Sequence, residues 1–405
     1  MTTEQAPHEP VNVIDSRDEF LAAVDRISEG SGPIAIDAER ASGFRYSQRA
    51  YLIQVFRREA GSFLFDPPAI GEFSELQSAI GNLEWVFHAA SQDLACLREV
   101  GLSPDHIFDT ELGARLAGMP RVGLGTVVEE LLGIHLAKAH SAADWSTRPL
   151  PQPWLVYAAL DVELLVDLRD AIAGLLDEAG KIEIARQEFE ATLAKEPKPA
   201  NPDAWRRLSG LHSLKQPRNL AAARELWLAR DEYARDIDIA PGRLLPDASI
   251  TAAAKALPAT KEELAKLREF NGRASRSQLP RWWAALEAGM TTEDLPRVRV
   301  PSDSIPPARA WADRKPEADR RLKAARASFA ELSETLAIPV ENLLTPELLR
   351  QIAWDPPDPV TVDSVGARLT AGGARPWQRD ATAQLIVDAF VEASQPETHG
   401  DESAS

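Results

Sequence analysis

Apolar and polar residues alternate with two different periods along this chain, and the change of period divides it. GPIAIDAER, AYLIQVFRR, SFLFD and EWVFHA are short apolar runs that read as β-strands. Between and after them the apolar spacing is helical, in SRDEFLAAVDRI, EFSELQSAI, SQDLACLREVG, TELGARLAG, GTVVEELLG and the long run PWLVYAALDVELLVDLRDAIAGLLDEAG. Successive strands followed by strand–helix alternation predict an α/β domain over residues 13–194, a mixed sheet flanked by helices. KEPKPANP has the composition of a linker at 195–202. Only helical spacing follows over 203–287, with Pro241-Gly242 and Pro246-Asp247 marking turns. A proline-rich stretch at 288–314 reads as a second linker, and 315–392 is helical again. Residues 1–12 and 393–405 are polar and are expected to be disordered tails.

A length of 405 residues agrees with two or three domains. One cysteine, Cys96, precludes an internal disulfide and fits a reducing compartment. The N-terminal residues have no basic and apolar regions of a signal peptide, and no apolar run approaches a membrane span. A cytoplasmic protein with no membrane partner is the expectation. The net charge of −17 argues at first against a nucleic-acid partner. That charge is uneven. Residues 201–287 carry 15 Lys+Arg against 11 Asp+Glu, a net of +4, while the first 200 residues and the last 118 are both net negative. The middle segment is therefore the natural candidate for holding phosphates.

Candidate chemistry lies in the first domain. Asp37 and Glu39 are two apart at the end of the apolar strand GPIAI, so they share one face. Ionised carboxylates there need a cation or donors. Asp93 follows the strand WVFHA at a helix start. Asp161 sits in an apolar helix one turn after Tyr157. Taken singly, each acid has an ordinary reading as strand-end decoration, helix cap or polar stripe. Taken together, four carboxylates suit hard divalent cations such as Mg2+ or Mn2+, and no Cys/His cluster competes for zinc. Two such cations with an oriented water form the equipment for phosphodiester cleavage. A tyrosine with an ordinary pKa near about 10 is suited to orienting that water rather than deprotonating it.

These residues resemble the ribonuclease D family of DEDD 3′→5′ exonucleases, in its tyrosine form. Asp37 and Glu39 match its first motif, HAASQDL with Asp93 its second, and Tyr157 with Asp161 its third. The histidine of the alternative form would fall at Val156. FDTELGARLAG, LGTVVEELLGIHLAK, DWSTRPL and YAALDVELL follow in the family's order. One departure is Arg40, where the family carries an apolar or aromatic residue. The resemblance implies a ribonuclease H-like exonuclease domain at 13–194, with Asp37, Glu39, Asp93 and Asp161 holding two Mg2+ or Mn2+ ions and Tyr157 placing the attacking water. It further implies an HRDC domain at 203–287 and a diverged second HRDC-like helical module at 315–392.

Lys138, Trp145 and Arg148 precede the third motif, where the resemblance makes them candidate substrate contacts alongside Arg40. The implied activity is release of nucleoside 5′-monophosphates from structured RNA such as tRNA precursors. The same chemistry on DNA, or a nucleic-acid-binding adaptor with little catalysis, stays open at this point.

Overall fold

The computed structural model describes residues 12–136, 143–196, 199, 201–299 and 305–395. The first domain is built on a six-stranded mixed sheet: β1 (Val13–Ile14), β2 (Ser31–Arg40), β3 (Ala50–Arg58), β4 (Gly61–Phe65), β5 (Glu84–Phe87) and β6 (His106–Asp109), in the order β1-β4-β3-β2-β5-β6. Strands β2, β3 and β4 form an antiparallel meander, whereas β5 and β6 add in parallel on the far side of β2. The interspersed helices are α1 (Arg17–Glu29), α2 (Pro67–Ile70), α3 (Ser74–Ile80), α4 (Leu94–Glu99), α5 (Thr110–Ala117), α6 (Leu124–Leu132), α7 (Gln152–Glu163), α8 (Leu165–Glu178) and α9 (Ile182–Leu193). Local chemistry explains the boundaries. Ser16 caps α1 by accepting the Glu19 amide, and Phe20, Ala23, Val24 and Ile27 form its buried stripe.

The four strands read from sequence are present, and the structure adds two. β1 is only two residues long, and β6 is a four-residue run that follows Asp105 and ends on Asp109. Both are made by pairing with distant strands, a tertiary effect that local pattern does not carry. The long helical run over 153–180 is broken at Leu164 into α7 and α8. α7 covers β2, β3 and β4, while α8 also reaches β5, so the break lets one apolar run follow two parts of the twisted sheet.

The middle segment folds as α10 (Pro217–Asp236), α11 (Pro241–Leu244), α12 (Asp247–Ala256), α13 (Lys261–Lys266), α14 (Arg273–Ser277) and α15 (Leu279–Thr291). It has its own core, in which Trp205, Leu226, Phe270 and Trp282 are buried. The last segment contains α16 (Trp311–Arg314), α17 (Pro316–Leu336), α18 (Val340–Leu343), α19 (Pro346–Trp354), α20 (Val362–Ala371) and α21 (Pro376–Ser394). The proline-rich linker is shorter than its composition suggests, since α15 runs to Thr291 and helical structure resumes at Ala308. Residues 300–304 lie outside the described residues, as do most of both tails, 1–11 and 396–405.

The two helical segments sit differently on the first domain. The core of the last segment is continuous with that of the sheet domain, joining Trp311, Phe329 and Phe390 to Phe108 and Phe189 in one cluster. At this seam the buried Glu188 of α9 receives the Arg375 guanidinium and the Trp377 indole N–H. The middle segment instead docks through polar contacts onto the loop between β2 and β3.

Candidate active site

The site forms where β2, the turn after β5 and α7 converge. Asp37 pairs with Gln54 across β2 and β3, and Glu39 with Leu52. The two carboxylates therefore lie on one face of the sheet, the face that α7 covers. A register shift follows between Glu39 and Arg40, which ends regular pairing at the edge of the site. One carboxylate oxygen from each of Asp37, Glu39 and Asp161 lies within 4.8 Å of the others. Asp93 stands beside them, close enough to Asp37 for each carboxyl to shift the other. Tyr157 and Asp161, one turn apart on α7, are hydrogen-bonded through their side chains. All five residues singled out in the sequence are thus brought together.

The local structure removes the ordinary readings. Asp93 stands at the N-cap of α4, yet its side chain caps nothing there. Asp161 belongs to α7, whereas Asp167 and Asp170 lie beyond the break on α8, where both bind Arg58.

The electrostatics follow from crowding acids in a poorly hydrated place. Burial, then the charges of Asp37, Asp161 and Asp93, push the Glu39 carboxyl up to about 9. Burial and Asp37 push Asp161 up to about 7. Asp37 and Asp93 are also raised, chiefly by burial. The Arg40 guanidinium opposes the shift at Asp37, Glu39 and Asp93. Burial and the neighbouring carboxylates raise the Tyr157 phenol, so it stays protonated. Metal-free, the cluster is short of positive charge. Mg2+ binds oxygens at about 2.0–2.1 Å, so opposite ligands on one ion stand about 4.2 Å apart. A carboxylate set already gathered within 4.8 Å fits such an ion after a small contraction.

Two candidate substrate contacts are corrected. Arg148 directs all its donors inward: Nε and Nη2 to Asp66, Nη1 to the carbonyls of Trp145 and Thr147, and Nη2 also to the carbonyl of Tyr51. It fastens the 144–150 loop to the sheet and offers no free edge to a phosphate. Trp145 is fully buried against Trp154, so it cannot present a ring to a base. Arg40 remains partly exposed beside the carboxylates. Lys138 lies outside the described residues.

Sequence pattern did not single out Asp109. It is buried, and its carboxylate accepts the amides of Ala89 and Ala90, in the turn that delivers Asp93, and those of Glu111 and Leu112 at the start of α5. The signal was present in FDTEL: an aspartate ending an apolar run, directly before a helical pattern. Gln54 was also missed. Its carboxamide, opposite Asp37, is fully buried, and neither its oxygen nor its nitrogen has a hydrogen-bond partner. His88 is accounted for structurally, with Nδ1 2.9 Å from Thr110 Oγ1 and burial pushing its pKa down to about 4.

Comparison with known proteins bears on the domains that carry this site. Residues 11–177 match the family model described as 3'-5' exonuclease, 219–286 the HRDC domain, and 304–390 the 3' to 5' exonuclease C-terminal domain. A ribonuclease D of Cronobacter turicensis is 30% identical over 249 residues, which cover 60% of this chain and 67% of that protein. The chain belongs to the ribonuclease D family. Two further ribonucleases D, each 31% identical, are matched over 58% of their own length. Among solved structures, a protein from Bifidobacterium adolescentis superposes with a TM-score of 0.88 at 35% identity, covering 94% of this chain and 97% of that one. Ribonuclease D of Escherichia coli shares the fold, with a TM-score of 0.67 at 24% identity over 96% of this chain and all of that one. A ribonuclease D fold thus underlies both the sheet domain and the HRDC domain.

Proposed function

We propose that this protein is a cytoplasmic, metal-dependent 3′→5′ exoribonuclease that trims structured RNA such as tRNA precursors. The gathering of Asp37, Glu39 and Asp161 within 4.8 Å, with Asp93 beside Asp37, carries the proposal. These four residues hold two divalent cations, Mg2+ or Mn2+. When bound, such ions supply the positive charge that activates water and stabilises the leaving oxygen.

The protein's own groups do the rest. Tyr157 stays protonated, so its phenol positions the attacking water by hydrogen bonding and does not deprotonate it. Arg40 keeps a fixed positive charge beside the carboxylates, where the terminal phosphate approaches. The water oxygen attacks the phosphorus of the last phosphodiester, and the bond from phosphorus to the preceding 3′ oxygen breaks. A nucleoside 5′-monophosphate leaves, and the shortened RNA keeps a 3′ hydroxyl.

The test is 5′-labelled RNA and a matched DNA, each incubated with the protein in Mg2+, Mn2+ or chelator. The expected result is a ladder of shortened RNA that needs the metal. Degradation of DNA alone would replace the substrate, and intact RNA in every condition would sink the proposal.

A further inference from the structure

In a chain with 62 Asp+Glu, residues 204–224 contain none, yet hold Arg206, Arg207, Lys215, Arg218 and Arg224. The fold brings a second basic stretch, 297–299, against this one. Between them lies a cleft of about 550 Å3. Arg206, His212, Lys215 and Arg299 line it over an apolar floor of Leu208, Leu214 and Leu220, and no Asp or Glu is among its lining residues. We propose that this cleft, formed by the turns that precede and follow the HRDC domain, binds the phosphodiester backbone of the RNA upstream of the 3′ end. The inference rests on the proposed action on RNA.

Two of the cations, Arg206 and Lys215, are held in place before any ligand arrives. The Arg206 guanidinium stacks 4.3 Å over the Trp205 ring, donates to the carbonyl of Arg297 and stands 3.4 Å from the Asp203 carboxylate. That leaves Lys215 and Arg299 as the cleft cations without a carboxylate partner among the described residues. Lys215 Nζ donates to the carbonyl of His212 at 2.8 Å. The segment that delivers Arg299 is stitched to α10. Arg218 binds the carbonyls of Gly289 and Thr292, and Arg224 binds both the side chain and the carbonyl of Asp294. Converging cations on a fixed frame lose little entropy on meeting an anion. Phosphates spaced along a strand engage several such cations at once, and apolar ground between them suits ribose and base.

The position adds a length rule. The cleft adjoins the N-terminal end of α10, while Asp231 and Arg235 near its other end contact Tyr46, in the loop that follows Glu39. A helix of 20 residues spans about 30 Å. At about 3.4 Å per stacked nucleotide, that is roughly nine nucleotides. A hexanucleotide can therefore occupy the active site without reaching the cleft, whereas a 30-mer reaches it.

The test uses the full chain with Lys215→Glu and Arg299→Glu together, both exposed side chains, while Arg206 is left in its stack. The control reverses two other exposed cations of the same module, Lys261→Glu with Lys266→Glu. Affinity for a 30-mer RNA is measured without divalent ions across a salt series, and hexanucleotide turnover is measured with Mn2+. The cleft variant is expected to bind the 30-mer at least tenfold more weakly. Its salt slope should fall by about 1.4, the value for two lost phosphate contacts on a single strand. Hexanucleotide turnover and melting temperature should stay unchanged, and the control pair should cost less than threefold.

An equal loss in the control pair would overturn the cleft in favour of a diffuse field. Unchanged 30-mer affinity would overturn it as well. So would a cleft that binds inorganic phosphate, seen as a thermal shift lost in the variant, with no change in RNA binding. Failure of the wild-type protein to cut the hexanucleotide would count against the proposed activity instead, so the two failures are told apart.

Discussion

The Asp109 carboxylate holds Ala89 in a left-handed backbone conformation, φ 69°, by accepting its amide at 3.0 Å. A non-glycine residue avoids that region unless its surroundings impose it. Here the imposition serves the site, because the turn at Ala89 leads within four residues to Asp93. Asp109 is thus a positioning residue that acts on the carboxylate cluster without belonging to it.

Replacing it tests that role. Asp109→Ala removes the acceptor from four backbone amides, and each one left buried and unpaired costs about 1–3 kcal/mol. The expected outcome is a lower urea midpoint and a higher Mn2+ concentration for half-maximal activity. Asp109→Asn, which keeps one acceptor oxygen, should fall between. A variant that loses stability but keeps the wild-type metal requirement would leave Asp109 a purely structural residue.

Arg148 is expected to matter for folding and not for RNA. Its partner Asp66 is buried, and removing one half of such a pair costs about 3–5 kcal/mol. Because Arg148 is itself one-third exposed, Arg148→Ala should sit at the lower end of that range. RNA affinity, measured well below the melting transition, should stay within about twofold of wild type. A loss of RNA affinity at unchanged stability would return Arg148 to the substrate.

The contrast between Arg148 and the acids shows what a sequence can carry. Asp37, Glu39, Asp93, Tyr157 and Asp161 were legible because each sits at a fixed offset from an apolar run, and ionised groups there demand a shared cation. Arg148 and Trp145 are of residue types that bind RNA when exposed, and exposure is settled by packing. Asp66, which claims Arg148, is 82 residues away in sequence. β6 was hidden for the same reason, since its partner β5 supplies the pairing that its short run does not announce. The fusion of the last helical segment to the sheet domain depends on Glu188, which on sequence alone is one more charged position in an amphipathic helix.

The raised carboxyls set a pH dependence that metal should reverse. Glu39 rises to about 9 from an ordinary value of 4.5, and Asp161 to about 7 from 3.8. An acid whose pKa is higher folded than unfolded favours the fold while protonated. That contribution is fully present below the unfolded pKa and is lost as pH rises through the folded pKa. In chelator, the melting temperature should therefore decline between about pH 5 and pH 9. Bound cations neutralise the same carboxylates, so Mn2+ should flatten the decline. At a hundredfold excess over its dissociation constant it should add about 2.7 kcal/mol at neutral pH. Thermal melts at pH 5, 7 and 8.5 with and without Mn2+ decide this, and an equal metal effect at pH 5 and 8.5 would speak against carboxylate ligands.

Asp238 couples the HRDC domain to the active-site loop. It accepts the Ser47 amide at 2.8 Å and the Tyr51 hydroxyl at 3.0 Å, and Arg49 stands 3.5 Å away. The Ala240 amide and Arg243 Nε complete the seam on the carbonyls of Phe44 and Gly43. Burial works to raise the Asp238 carboxyl, but the donors from Ser47 and Tyr51 win and hold it below the ordinary range. A depressed carboxyl stabilises the docked form above its unfolded pKa, and that contribution is lost as pH falls through the folded value. Asp238→Ala should therefore loosen the HRDC domain at neutral pH, seen as a larger radius of gyration in small-angle scattering. Since the seam holds the loop next to Glu39 and not the carboxylates themselves, hexanucleotide turnover should persist while trimming of a structured RNA falls. An unchanged radius of gyration would mean that the remaining seam contacts suffice to hold the domain. Equal loss on both substrates would mean that the loop positions the metal ligands directly.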